Sequence, residues 1–221
     1  MLRKFLFLLF IFISVNVFAS TDCSKFKFNP DININNVDND NIVIEESKEN
    51  LADKFGYVKS SITYNTKYMI IPVLVKDGYC LSLRSLDVNI NFPEFNIVID
   101  KMLKKDSCAY NVVLKHEKDH IQSEKDILSS NIEDIKKSVY NAALSIEPVF
   151  VKHGENIEET KEKMFNKIKE HKDIIDIKNK IEKELKDSNE QIDYRGDSWE
   201  IWQCEDFFEE IKNSYDNMSI D

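Results

Sequence analysis

Apolar residues recur with a helical period over the middle of the chain. From residue 110 to residue 139 they fall at three-, four- and seven-residue spacings, which places them on one face of a helix. The sequence therefore predicts a long helix from about residue 107 to Ser145, ended before Pro148. The apolar stripe of this helix consists of Tyr110, Leu114, Ile121, Leu128, Ile132, Ile135 and Val139.

A two-residue alternation precedes that helix and predicts β-structure from Tyr57 to Phe92. Asp77-Gly78 separates two runs rich in β-branched and aromatic residues, as a hairpin turn does. Pro72 has no amide donor, so the first run should be an edge strand or contain a bulge. The apolar positions of the second run change from odd to even numbers, which predicts a β-bulge near Arg84-Ser85.

The segments on either side carry weaker patterns. Ile32 and Ile34 alternate with polar residues as in a short strand. Pro93 suits the first position of a helix, so a short helix is expected from there to about Lys104. Residues 156–187 have the thin apolar stripe of a further helix. These elements predict an α+β fold, in which a small antiparallel sheet is followed by the long helix and then by a C-terminal helix.

The first residues differ from the rest of the chain. Arg3 and Lys4 precede an uninterrupted apolar run over residues 5–13, and Val17 and Ala19 are the small residues that signal peptidase requires before its cleavage site. The apolar run is shorter than the roughly 20 residues of a membrane span. We therefore expect residues 1–19 to be a signal peptide, and the mature protein to be periplasmic or secreted.

Charge and cysteine content narrow the classes of function. Loss of the signal peptide changes the net charge from −10 to −12, which makes nucleic acid an unfavourable partner. Four cysteines in an exported chain predict two disulfides, although their connectivity is one choice of three. We expect Cys80 to pair with Cys108 and Cys23 with Cys204. The first pair would tie the central strand to the long helix, and the second would pin both ends of the chain.

The long helix contains His116-Glu117-Lys118-Asp119-His120, which is an HExxH pattern. Residues four apart share a helix face, so both imidazoles can bind one Zn²⁺. Glu117 lies about a quarter of a turn away, where it can act as general base on a zinc-bound water. It also lies nearer to the apolar stripe than either histidine. The alternative interpretation is an exposed, charged helix turn that happens to contain two histidines.

A catalytic zinc site requires a third protein ligand, which no known pattern supplies in this chain. Glu124 lies on the histidine face, but about 12 Å along the helix axis from His116, at about 1.5 Å per residue. Candidates that follow the long helix are Glu147, His153 and His171. Of these we favour His153, which stands in a loop beside a glycine.

The alternating strand of residues 80–92, with the HExxH helix after it, resembles an uncharacterised family of exported bacterial proteins described as secreted zinc-dependent proteases. The resemblance covers about residues 57–130, and only the HExxH part is specific. The resemblance implies that His116 and His120 bind zinc and that Glu117 acts on the zinc-bound water. The order of a sheet and then an HExxH helix is also similar to that of zincins, in which an edge strand holds an extended peptide above the metal.

These observations lead to two hypotheses about function. The first is an exported zinc-dependent hydrolase, a metallopeptidase that acts on peptide or protein substrates. The alternative is a non-catalytic exported binding or envelope-assembly protein that uses its helices as a docking surface. The expected organisation is an acidic, Asn-rich segment over 20–55, a zincin-like core over 56–150, and a helical extension with an aromatic tail over 151–221. That extension is expected to be docked and to cover or border the active-site cleft.

Overall fold

The computed structural model describes residues 22–37, 41–51, 54–60, 62–91, 94–195, 200–205, 207–209 and 212. The expected signal peptide lies outside these residues. The strands are β1 (Asp31–Val37), β2 (Ile42–Glu46), β3 (Gly56–Lys59), β4 (Thr63–Val75), β5 (Gly78–Asn91), β6 (Phe95–Ile99) and β7 (Val149–Lys152). The helices are α1 (Cys108–Leu144), α2 (Ile157–Lys169) and α3 (Lys172–Arg195).

The first sheet is built around β5. The edge strand β4 pairs with it antiparallel along its whole length, while β1 and β7 share its other side. Val75 lies opposite Gly78, so the predicted hairpin exists with its two-residue turn one position earlier. The register passes from Met69 opposite Ser85 to Ile70 opposite Leu83, which leaves Arg84 as the extra residue of the predicted β-bulge.

The second sheet has the order β2-β6-β3. Its central strand, β6, replaces the short helix expected after Pro93. Phe95, Ile97 and Ile99 alternate along β6 and are buried, because ladders on both sides satisfy its backbone while these side chains enter the core. The expectation of one antiparallel sheet is also wrong. Each sheet contains a parallel pair, because β1 and β2 come from the N-terminal segment and join the sheets beside β5 and β6.

Helix α1 matches its prediction closely. The side chain of Ser107 caps it by accepting a hydrogen bond from the backbone N–H of Tyr110. Five of the seven residues of the apolar stripe are buried and the other two are partly buried. The stripe packs into one core with the inward face of β5 and with β6, so α1 is held rigidly by both sheets.

The predicted helical stretch of residues 156–187 consists of two helices with a break at residues 170–171. Asn156 caps α2 through its side-chain oxygen, and the ring Nδ1 of His171 accepts a hydrogen bond from the backbone N–H of Asp173 at the start of α3. Helix α3 then runs back along α1. None of the helices, over the part of the chain that is described, has the length and apolar character needed to cross a membrane.

Polar contacts fix the register of α3 against α1. Four side-chain pairs connect the two helices along their length: Ser123 with Ser188, Asn131 with Glu184, Asp134 with Lys180, and Asn141 with Asp173. Each step forward along α1 is matched by a step back along α3, so the helices are antiparallel. The C-terminal end of α3 therefore lies beside the HExxH turn.

All four cysteines form disulfides, as expected of an exported chain, but the expected pairing is wrong. The bridges are Cys23–Cys80 and Cys108–Cys204. A short 3-10 turn at residues 24–26 lies against β5, where the Ser82 hydroxyl donates to the carbonyl of Phe26 at 2.7 Å. This contact brings Cys23 to the central strand, so the cysteine at the start of α1 pairs with the tail.

The aromatic tail is docked only in part. Phe207 is fully buried and makes an edge-to-face contact with Phe55, with 5.3 Å between ring centroids. Trp202 and Phe208 contact the Phe207 ring but are half exposed, and Tyr194 is almost fully exposed. Trp199, another aromatic residue of this tail, lies outside the described residues.

Candidate metal centre

Three side chains converge where α3 ends beside α1. The Nε2 atoms of His116 and His120 are 3.1 Å apart. The Oδ1 atom of Asp193, from α3, lies 3.0 Å from the Nε2 atom of His120 and 3.4 Å from that of His116. Among the described residues, these three form a group whose potential ligand atoms all lie within 4.8 Å of one another.

The dimensions of this triangle fit a tetrahedral Zn²⁺ site. Zinc bonds to imidazole nitrogen and carboxylate oxygen are about 2.0–2.2 Å long, which puts tetrahedral ligand atoms about 3.3–3.6 Å apart. The observed separations of 3.0, 3.1 and 3.4 Å are close to that range. Two imidazoles and one carboxylate are also a ligand set that catalytic zinc sites use.

Asn189 fixes the orientation of one histidine. Its Oδ1 atom lies 3.0 Å from the Nδ1 atom of His120. An amide oxygen can only accept, so with a metal ion bound at Nε2 it would hold the proton on Nδ1 and leave the Nε2 lone pair for the ion. Asn189 and Asp193 are four residues apart on α3, as His116 and His120 are on α1, so one helix face meets the other.

The group is shielded on one side and open on the other. The side chains of His116 and His120 are only 13% and 12% exposed, whereas that of Asp193 is 64% exposed. A groove of about 510 Å³ runs between α1 and α3, with His116 in its wall. Catalytic zinc sites combine three protein ligands with access from solvent, whereas structural sites use four protein ligands and are closed.

Glu117 is held between the helix and the second sheet. It is 5% exposed, which confirms that it lies nearer to the core than the histidines do. A Cβ atom placed on Gly56, at the start of β3, would lie 3.0 Å from the Oε1 atom of Glu117 and 2.6 Å from the Cγ1 atom of Val113. The glycine therefore allows the β3 backbone to approach α1 closely at the glutamate of the motif.

A second carboxyl group lies one turn beyond His120. Glu124 is partly buried, and Ser60, which follows β3, donates a hydrogen bond to its Oε2 atom. Burial raises the pKa of Glu124, while the hydrogen bond from Ser60 and the charge of His120 act in the opposite direction. Glu124 therefore lies on the side of α1 that contacts Ser60, next to the motif, and is not part of the group formed by His116, His120 and Asp193.

The other candidates for the third ligand lie elsewhere. His153 follows β7 and makes an edge-to-face contact with Tyr79, so it is at the hairpin end of the first sheet, and Asp193 completes the group in its place. Glu147 forms an ion pair with Lys27, with 2.6 Å between Nζ and Oε1. His171 caps α3 at the end remote from Asp193. The structure therefore does not bring His153, the favoured candidate, together with His116 and His120.

Asp193 and Asn189 were missed because their approach to α1 depends on helix register. The spacing of the two residues is visible in the sequence as an i, i+4 polar pair, but the same spacing is common on exposed helix faces. As expected, the C-terminal helix lies beside the motif, because Asn189 and Asp193 of α3 contact His120. That this extension covers an active-site cleft stays a prediction.

Comparisons of the chain with protein-family models, with curated proteins and with solved structures give no match. Functional assignment therefore depends on the chemistry of the site itself.

Proposed function

We propose that this protein is an exported zinc-dependent hydrolase with a zincin-like arrangement, acting as a metallopeptidase in the periplasm or outside the cell. The observation that carries the proposal is the triangle formed by His116, His120 and Asp193, with Glu117 on the adjoining helix face. The two disulfides are compatible with export, since such bonds persist in oxidising compartments.

Separate residues would bind the metal ion and transfer the proton. His116, His120 and Asp193 would hold the ion, and Asn189 would keep the His120 lone pair directed at it. Zinc bound there would polarise a scissile carbonyl and lower the pKa of a water molecule to about 7. Glu117 would accept the proton of the attacking water and later deliver it to the leaving amine, so that no net proton is consumed at the glutamate.

Strand β3 offers a way to bind the peptide. Within the described residues it is the last strand of the second sheet, so its outer edge presents main-chain N–H and C=O groups. An extended peptide can add to such an edge as a further strand. The close approach of Gly56 to Glu117 would then keep the bound peptide beside the general base.

The proposal is tested first by metal content. The purified, oxidised protein, incubated with Zn²⁺ and then desalted, should carry one zinc ion per chain by elemental analysis. His116→Ala should lose the ion, because two remaining protein ligands make a poor zinc site. His153→Ala is the matched control, and it should keep the ion because His153 contacts Tyr79 instead.

Hydrolysis is tested separately with quenched fluorescent casein. Glu117→Gln preserves shape but removes the base, so zinc should stay bound while cleavage falls by roughly 10² to 10⁴. Glu133→Gln, at an exposed position paired with Lys136 on the same helix, should cleave normally. Wild-type protein that takes up no zinc would reject the proposal and leave the non-catalytic binding protein as the better hypothesis.

A further inference from the structure

A second cavity lies far along α3 from the candidate metal centre. It is a groove of about 410 Å³ that opens between the edge strand β4 and the helices α2 and α3. Its floor is formed by Val88, Ile90 and Val139, which are buried residues of β5 and α1. The volume falls in the range of roughly 300–1,000 Å³ that is usual for small-molecule sites.

The walls of the groove are apolar. Ile168 of α2 and Ile177 of α3 line its sides. Phe165 of α2 also lines the groove, and its ring stacks on that of Tyr68, on β4, with 4.4 Å between centroids. An unbranched apolar chain would fit such a space. A bulky polar ligand would leave its hydrogen-bonding groups unpaired against these walls.

The rim has a different character from the floor. Lys169 and Lys178 both line the groove, although the chain as a whole has a net charge of −10. The ammonium group of Lys169 lies 4.4 Å from the centroid of the Phe165 ring. That of Lys178 lies 3.6 Å from Glu182, and Tyr64 adds a phenol to the rim. Two cations beside an apolar groove favour a ligand with an anionic head and an apolar tail.

We propose that this groove binds a single fatty acid, with the acyl chain over Val88 and Ile90 and the carboxylate at Lys169 and Lys178. The site is separate from the proposed hydrolase chemistry and does not depend on it. The volume favours one acyl chain over an inserted protein segment, and the lysines favour a carboxylate over a neutral head.

Titration calorimetry with sodium dodecanoate, below its micelle concentration, tests the proposal on the oxidised mature protein. Saturable one-to-one binding is expected, and it should weaken by up to about four-fold for each methylene removed from the chain. The methyl ester of the same acid should bind about ten-fold more weakly, because it lacks the charge that the two lysines would pair.

Two variant pairs locate the site. Thr66→Trp should fill the groove and abolish binding. Asn65, the residue before it on β4, faces the opposite side of the sheet, so Asn65→Trp should have no effect. Lys169→Glu combined with Lys178→Glu should weaken binding at least about ten-fold. Lys186→Glu is the matched control, because Lys186 pairs with Glu190 at 3.7 Å as Lys178 does with Glu182 but lies outside the groove.

Three results would overturn the proposal. The first is the absence of saturable dodecanoate binding. The second is unchanged affinity in Thr66→Trp protein that is shown by circular dichroism to be folded. The third is binding to vesicles of anionic phosphatidylglycerol without binding to monomeric dodecanoate, which would identify a membrane surface rather than a fatty acid as the ligand.

Discussion

Replacement of Asp193 by alanine is the most direct test of the metal centre, because this residue was recognised only through the fold. The change removes one of the three potential ligand atoms and leaves the two histidines on α1 untouched. Structural zinc sites bind with about 10–16 kcal/mol shared among four ligands, which is about 2.5–4 kcal/mol per ligand. The dissociation constant for zinc should therefore rise by about two to three orders of magnitude.

The position of Asp193 places the effect toward the lower end of that range. Its side chain is 64% exposed, so water screens its charge and can replace its oxygen. Asp193→Asn should fall between wild type and alanine, since an amide oxygen is a neutral and weaker ligand than a carboxylate. The affinity is measured by competition with a chromophoric chelator at fixed pH, beginning from metal-free protein.

Asp187→Ala is the control, because Asp187 is on the same helix but pairs with Lys183. It should bind zinc as the wild type does. Circular dichroism shows whether α3 stays helical in each variant. If Asp193→Ala binds zinc as tightly as Asp187→Ala does, then Asp193 is not a ligand and the assignment of the site is wrong.

Three further changes test the surroundings of the site. Asn189→Ala removes the acceptor that orients His120 and should weaken zinc binding about 10- to 100-fold in the same competition assay, with unchanged affinity arguing against an orienting role. Gly56→Ala introduces a Cβ atom 2.6 Å from the Cγ1 atom of Val113 and should cost about 1–3 kcal/mol in urea unfolding. Val113 is buried, so Val113→Ala has its own cost, and in a double-mutant cycle the two costs should be less than additive if the clash is the cause. Burial raises the pKa of Glu124 above its ordinary 4.5, so the metal-free folded state binds more protons above that pH and loses stability as the pH rises. Glu124→Gln should therefore gain stability relative to wild type from pH 4.5 upward, and a pH-independent difference would contradict the burial of this carboxyl.

The features that the sequence predicted well are those encoded within a single element. The span of α1 follows from its apolar period and the Ser107 cap, and the burial of Glu117 follows from its angle to the apolar stripe. The β-bulge at Arg84 follows from a change of phase within one strand. In each case the deciding residues are close together in the chain, so local geometry is sufficient.

The features that were predicted wrongly depend on what packs beside them. The residues of β6 were expected to be helical, but they form a strand because β2 and β3 supply ladders on both sides. The disulfide pairing depends on the contact of residues 24–26 with β5. The sequence of β6 does not show that β2 and β3 pair with it, and the sequence around each cysteine does not show which other cysteine lies near it. Periodicity within one segment therefore cannot predict either feature.

The candidate metal centre depends both on local sequence and on the packing of distant segments. His116 and His120 are brought together by one helix turn, so their sequence alone places them on one face. Asp193 joins them from 73 residues further along the chain. Asp193 reaches this position because the chain turns between α2 and α3, and because polar pairs such as Asn131 with Glu184 set the register of the two helices. An HExxH pattern can therefore be recognised in a sequence, whereas a three-ligand site has to be recognised in a fold, because its third ligand is selected by how two helices align.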